Sequence, residues 1–296
     1  HTQGGAAHWV GFHVGEGKPM KTWVDGALVD DADALVSAFD HGLTVGDGVF
    51  ETVKVLDAVP FALRRHLDRL ARSAAGLGLQ TPDLAQVGDA CSRVVAQAPV
   101  GRHRLRITYT GGLSPLGSGR GDAKPTLVIA LAPMDPWPES TKVAVVPWPR
   151  NERGALAGLK TTSYAENVVA LAYAKRLGAG EALFADTRGR LSEGTGSNVF
   201  VVLGDRLVTP ALTTGCLAGV TRALVLEWST AAEAELPVEV FEQADEVFLT
   251  STTRDVQAVS AMAGEDGVRT VGPAPGPVTR EIAATFARRS QEDADP

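Results

Sequence analysis

One lysine, one glutamate and two runs of backbone and hydroxyl donors hold most of the chemistry this sequence offers. Lys160 sits in Ala155-Leu156-Ala157-Gly158-Leu159-Lys160-Thr161-Thr162, among small and apolar residues. An amine in such surroundings sheds its charge readily, because burial disfavours the ammonium form. A neutral amine is the nucleophile that condenses with a carbonyl. Glu193 lies in the Gly-rich stretch Leu191-Ser192-Glu193-Gly194-Thr195-Gly196-Ser197-Asn198, where the backbone lets a ligand come close. A carboxylate there can pair with a ring nitrogen and keep it protonated. Gly219-Val220-Thr221-Arg222 opens a helix, and the free N–H groups of a first turn bind anions. Ser251-Thr252-Thr253 ends a strand and adds hydroxyl and amide donors. Taken singly, each has a plainer reading: a surface lysine with its stem folded over apolar neighbours, a solvated strand-edge glutamate, a threonine cap and a turn. Together they make a nucleophilic amine, a ring-nitrogen partner and two phosphate cradles, which are the parts that pyridoxal phosphate chemistry requires.

Other chemistries lack their parts. The run Gly117-Ser118-Gly119-Arg120-Gly121 has the wrong spacing for a dinucleotide fingerprint and falls in a loop between strands. Neither a phosphate-binding G-x-x-x-x-G-K-[ST] loop nor a G-x-S-x-G elbow occurs. After Met20 the only histidines are His41, His66 and His103, too dispersed for a His-rich metal site, so no metal is expected. Two distant cysteines, Cys91 and Cys216, exclude a disulfide framework and fit a reducing, cytoplasmic setting. The net charge of -7 is the wrong sign for a general nucleic-acid or anionic-membrane binder. No apolar run reaches the roughly 18 residues of a membrane span. With 44% hydrophobic residues over 296, the chain has enough apolar material for two packed domains.

Strands and helices must bring these residues together. Residues 21–30 read as a hairpin turning at Asp25-Gly26. Strands follow at 50–56 and 59–63, then helices over 65–78 and 83–97, then strands at 104–110 and 126–132 joined by a Gly-rich loop. The second half opens with a strand at 142–147. Ser163 and Glu166 have capping-box spacing, which predicts a helix from Ser163. Strands at 181–185 and 198–203 flank a hairpin turn at 187–190, a helix runs from Gly219 through Trp228, a strand covers 246–250, and a last helix covers 278–289. The expected division is a leader or appended segment at 1–19 with Met20 as the natural start, a small α+β domain at 20–135, a large domain at 136–290 and a polar tail at 291–296.

At this level the sequence resembles the class IV pyridoxal-phosphate aminotransferases, the fold type IV enzymes. The resemblance runs from about Trp23 to about Val259. It is carried by six segments in order: 41–51 (HGLTVGDGVFE), 66–70 (HLDRL), 159–167 (LKTTSYAEN), 192–200 (SEGTGSNVF), 219–222 (GVTR) and 247–253 (VFLTSTT). It implies a two-domain α+β fold, a small α+β domain plus a larger domain with a β-barrel-like core, with pyridoxal 5'-phosphate between them in a homodimer. It implies Lys160 as the Schiff-base lysine and proton shuttle, Glu193 on the pyridine nitrogen, and Tyr164 on the phenolic oxygen. Arg69, Val220, Thr221 and Thr252 fall on the phosphate-binding positions, with Ser251 and Thr253 as neighbours.

The substrate side is read from one strand. Arg104, Arg106 and Thr108 share a face, and Leu105, Ile107 and Tyr109 the other. Branched-chain enzymes place a tyrosine and then an arginine here; this chain has Arg104 and Arg106 in those places. D-amino acid enzymes carry an arginine a few residues later, where this chain has Thr110-Gly111. The lyase of the family has a basic residue at the place of Arg106. Phe50, Arg104, Arg106 and Thr253 are the expected substrate contacts. The resemblance points first to 4-amino-4-deoxychorismate lyase, whose substrate has two carboxylates. In that reaction Lys160 removes a ring proton, pyruvate leaves, and 4-aminobenzoate, a folate precursor, is released. A class IV aminotransferase (branched-chain, D-amino acid or R-amine) acting on an amino acid or amine with a 2-oxo acid acceptor is the second reading, and a cofactor-binding protein without turnover the third.

Overall fold

The structure, a computed structural model, describes residues 21–296; the expectations for Met20 and the segment before it lie outside the described residues. The first half builds one antiparallel sheet from β1 (Lys21–Val24), β2 (Ala27–Asp30), β3 (Gly48–Leu56), β4 (Val59–Pro60), β5 (Arg102–Thr110) and β6 (Thr126–Pro133), in the order β2-β1-β6-β5-β3-β4. Asp25 and Gly26 both have positive φ, the requirement of a two-residue turn between twisted strands. A short α1 (His41–Thr44) precedes β3, and α2 (Leu63–Gly76) and α3 (Leu84–Val95) cover one face of the sheet. Val53, Val55, Leu105, Ile107 and Ile129 meet Leu67, Leu70, Ala74, Cys91 and Val94 there. The period of two then fixes what the other face carries. Phe50 pairs with Thr108, Thr52 with Arg106 and Lys54 with Arg104 across the β3–β5 ladder.

The second half forms a sheet of nine strands: β7 (Ser140–Val145), β8 (Glu181–Ala185), β9 (Leu191–Gly194), β10 (Asn198–Leu203), β11 (Arg206–Pro210), β12 (Ala232–Ala234), β13 (Glu246–Ser251), β14 (Asp255–Gly264) and β15 (Gly267–Thr270). Its order is β12-β11-β10-β13-β14-β7-β8-β9, with β15 on β14. The sheet is buried on both faces, so its central strands are almost wholly apolar. Val199, Val201, Val247 and Leu249 point to one core. Phe200, Val202 and Phe248 point to the other, against α5 (Val220–Trp228) and α6 (Pro277–Glu292). The sheet curls around the first core: Leu191 N–H reaches Leu236 O at 2.8 Å, folding the β9 edge back toward the segment after β12.

Three sequence expectations are corrected. The helix α4 (Ala165–Arg176) starts at Ala165 with Tyr164 at its N-cap and no side-chain cap; Ser163 Oγ instead donates to Gly46 O, 2.9 Å away, tying the two halves together. The turn at 187–190 joins β8 to β9, a strand hidden by its Ser-Glu-Gly composition, and β10 comes only after it. The last helix runs to Glu292, and the residues beyond it are docked. Ala62 N–H donates to Ala294 O (2.7 Å) and Arg64 N–H to Asp295 Oδ1 (3.0 Å), satisfying N–H groups that the start of α2 leaves free. No helix among the described residues is long and apolar enough to cross a membrane.

Candidate active site

A cavity of about 660 Å³ is lined by residues of both halves, a size that holds a cofactor and a small substrate. All twelve residues singled out from the sequence line it: Phe50, Arg69, Arg104, Arg106, Lys160, Tyr164, Glu193, Val220, Thr221, Ser251, Thr252 and Thr253.

Lys160 is held by its backbone. Phe50 N–H donates to Lys160 O (3.0 Å), Thr162 N–H donates to Gly48 O (2.8 Å), and Val49 bridges Thr161, so the segment lies along the start of β3. The side chain then rises over the Phe50 ring, with Nζ 4.3 Å from its centroid and 5.9 Å from that of Tyr164. Burial, followed by the Arg69 guanidinium, pulls the ammonium down to about 8. An appreciable neutral fraction therefore exists near neutral pH, as a nucleophilic or basic amine needs.

Glu193 stands on β9 with its side chain largely buried. Burial pushes its carboxyl up. The Arg150 guanidinium, with Nε 3.6 Å from Oε1, and the Leu217 N–H, 2.9 Å from Oε2, work against that. Tyr164 packs edge-on against Phe50, ring centroids 5.1 Å apart. Burial, reinforced by Glu193, pushes its phenol up to about 12, so the hydroxyl keeps its proton.

The end of the cavity able to take an anion is built from three elements. Arg69 projects from α2 and donates Nη1–H to Ala218 O at 3.1 Å, just before the start of α5. Val220 and Thr221 open α5, and their N–H groups have no acceptor within the helix. Gly219 is needed at its N-cap, because a Cβ there would stand 2.0 Å from Asn198 Oδ1. Ser251, Thr252 and Thr253 close β13 and follow it into the turn. A cation, first-turn N–H groups and hydroxyls at one cavity, with a lysine and a buried carboxylate in the same cavity, fit pyridoxal phosphate: a phosphate, an aldehyde and a ring nitrogen each have a matching group.

On β5 the expected alternation holds. Arg106 is half-buried, its guanidinium carbon 3.4 Å from the Phe50 ring centroid, and burial lowers it to about 10. Arg104, two residues away on the same face, is exposed while still lining the cavity.

Five side chains escaped sequence reading. Glu51, fully buried, takes Arg69 Nε–H and Nη2–H at 2.8 Å each and His66 Nδ1 at 2.7 Å. A carboxylate on the apolar face of β3 was the available signal. His66 reaches Thr252 with its other nitrogen. Arg150 bonds Glu166 (2.6 Å) and Asn167 (3.1 Å), and its buried Nε, next to Glu193, has no hydrogen-bond partner among the described residues. Glu181 and Arg254 form a buried pair at 2.9 Å on the cavity wall. For these last two the sequence gives no signal, since their partners are distant along the chain.

Comparison with known proteins agrees with this geometry. The family model of amino-transferase class IV matches residues 48–262. The chain is 33% identical over 255 residues to a putative branched-chain-amino-acid aminotransferase of Methanocaldococcus jannaschii, covering 83% of this chain and 88% of that one. It is 30% identical over 249 residues to an aminodeoxychorismate lyase of Bacillus subtilis, covering 79% and 84%. A branched-chain aminotransferase from Thermoproteus uzoniensis, solved with norvaline, superposes with a TM-score of 0.85 at 29% identity, covering 92% and 94%. With the two-domain α+β fold and a cavity fitted to the cofactor, these likenesses establish that the chain belongs to the class IV aminotransferase family, the fold type IV enzymes that work with pyridoxal phosphate.

Proposed function

We propose that this chain is a 4-amino-4-deoxychorismate lyase, releasing pyruvate and 4-aminobenzoate. The observation that carries the reading is the pair Arg104 and Arg106, two cationic side chains on the cavity face of one strand. Two guanidinium groups suit a substrate with two carboxylates, since each carboxylate gains a charge-assisted, two-point hydrogen bond. Bound pyridoxal phosphate supplies an electron sink for charge developing beside the substrate's amine carbon. The remaining work belongs to the protein. Lys160 Nζ accepts and returns a proton. With the cofactor bound, Glu193 would hold a proton on the ring nitrogen, and the Tyr164 hydroxyl would donate to the ring's phenolic oxygen. Arg69, the first turn of α5 and the hydroxyls of 251–253 hold the phosphate. Phe50 and Thr253 border the substrate.

The branched-chain aminotransferase neighbours favour a second reading, a transaminase using a 2-oxo acid acceptor. Incubation with aminodeoxychorismate and no 2-oxo acid separates the two. The lyase yields stoichiometric pyruvate and 4-aminobenzoate. The reading falls if neither forms while an amino acid donor alone converts the bound cofactor to its amine form.

We read the protein further as a cytoplasmic homodimer, with a small domain to residue 135 and the cofactor-binding domain from 136. Phe39, Leu43, Leu113 and Leu116 are large apolar side chains left exposed, on segments tied together by Ser114 N–H donating to Phe39 O (3.2 Å). Such a patch calls for a protein cover. Sedimentation should give twice the chain mass, and Leu43→Lys with Leu116→Lys should halve it.

A further inference from the structure

Behind the hydroxyls of residues 251–253 lies a buried chain of three groups whose proton positions can be worked out in order. Glu51 lies between Arg69 and His66, both buried. The bidentate Arg69 keeps it ionised, with its carboxyl held far below the usual range against the opposing effect of burial. An ionised carboxylate can only accept. The His66 nitrogen 2.7 Å from it, Nδ1, therefore carries a proton. The other nitrogen, Nε2, faces Thr252 Oγ1 at 3.2 Å. The direction of this last bond depends on the charge of His66. With His66 neutral, Nε2 is bare, so Thr252 must donate to it and turns only lone pairs toward the cavity. With His66 protonated, Nε2–H donates to Thr252 and frees the hydroxyl hydrogen. A phosphate dianion offers acceptors alone. A Thr252 whose hydrogen is spent on His66 meets it lone pair to lone pair.

We propose that His66 is a positioning residue that takes up a proton when a phosphate monoester dianion binds at Thr252, turning the Thr252 hydroxyl from a donor to His66 into a donor to the phosphate. The inference rests on the reading of residues 251–253 as part of the phosphate site. The groups facing His66 are Glu51 from β3, Arg69 from its own helix, Lys160 from the segment before α4 and Thr252 from the turn after β13. Burial first, with Arg69 and Lys160 behind it, holds His66 below its ordinary value, and Glu51 pulls the other way. The proton is therefore absent beforehand and arrives with the dianion.

The test uses the full chain freed of cofactor, titrated calorimetrically with pyridoxal phosphate and, separately, with inorganic phosphate. Each titration is repeated in buffers of different ionisation heat, which gives the number of protons taken up. Wild type should take up more protons than Thr252→Val, by up to about one. The comparison cancels any contribution from Lys160, which both proteins share. Affinity for inorganic phosphate should weaken by up to about tenfold per pH unit between about pH 7.5 and 9 in wild type. That slope should persist in Thr252→Ser and be shallower than wild type, by up to about tenfold per pH unit, in Thr252→Val and in His66→Gln, where any shared Lys160 contribution remains. The glutamine amide is a permanent donor to Thr252, so His66→Gln should also bind phosphate more tightly than wild type at pH 9. Thr252 lies on a half-buried turn, so its variants test the idea even if His66→Gln folds poorly. Equal proton counts and equal slopes in wild type and Thr252→Val, with pyridoxal phosphate still bound, overturn the inference and leave the cofactor site standing. Failure of pyridoxal phosphate to bind wild type at all overturns both.

Discussion

Removing the Glu51 carboxylate is the sharpest test of how the site is held. It accepts three charge-assisted bonds, two from Arg69 at 2.8 Å and one from His66 at 2.7 Å, and is wholly shielded from water. Bonds to charged groups are each worth about 1.5–3 kcal/mol, and they do not add. The larger effect of Glu51→Ala is that it strands a buried guanidinium, which costs about 3–5 kcal/mol. For a chain of this size that lowers the melting midpoint by roughly 6–20 °C. The depressed carboxyl contributes its stability above its ordinary value of 4.5 and loses it only as pH falls through the lower folded value, so a measurement at about pH 8 captures all of it. Urea unfolding of the cofactor-free protein gives the number, and a second variant tests the cause. Glu51→Ala with Arg69→Leu should be more stable than Glu51→Ala alone, because the stranded charge is gone. A loss below about 1 kcal/mol for Glu51→Ala, or a double variant as unstable as the sum of the singles, refutes the argument.

Four further outcomes follow from the geometry. Lys160→Ala should lose the visible absorbance of lysine-linked cofactor and all turnover; retention of that band places the linkage elsewhere. In the cofactor-free wild type, the rate of reaction with pyridoxal should rise with pH through about 8 and then level, since only the neutral amine attacks; a profile still rising through pH 10 means the amine is unperturbed. Gly219→Ala should raise the dissociation constant for pyridoxal phosphate by about tenfold or more, ~1.4 kcal/mol, because its Cβ drives Asn198 and the first turn of α5 apart. Arg106→Leu should raise KM more than Arg104→Leu, because the half-buried guanidinium is better shielded from competing water than the exposed one; equal effects mean that Arg104 folds inward on substrate.

Much of this was legible in the residues because local pattern and tertiary role coincide. The Asp25-Gly26 turn, the apolar stripe of Leu67, Leu70 and Ala74, and the alternation of Arg104, Leu105, Arg106 and Ile107 each state their own geometry. What stayed hidden were segments whose form is imposed by neighbours. Leu191–Gly194 has turn-like composition and becomes a strand only because β8 pairs with it. Ser163 has capping chemistry but spends its hydroxyl on Gly46. Glu51 and His66 lay inside the segments that carried the family resemblance, yet their link to Thr252 spans 186 positions and no periodicity reports it.

Lys160 shows why the cavity needs both halves of the chain. Its main chain is paired to β3 of the first sheet, while the helix that follows it, α4, packs on β7 and β8 of the second. The charges acting on its amine divide in the same way. Arg69, Glu51 and Arg106 belong to the first half and Glu193 to the second, and the two signs partly cancel. With the charges near balance, burial is the largest influence and decides the outcome, a lysine pulled down to about 8. Phe50 and Tyr164, one from each half, meet edge to face beside the amine and contribute to that burial. The lowered charge of the lysine is thus a property of the seam between the sheets. The small and apolar run around it in sequence marks the place, and packing across the seam brings its ammonium down.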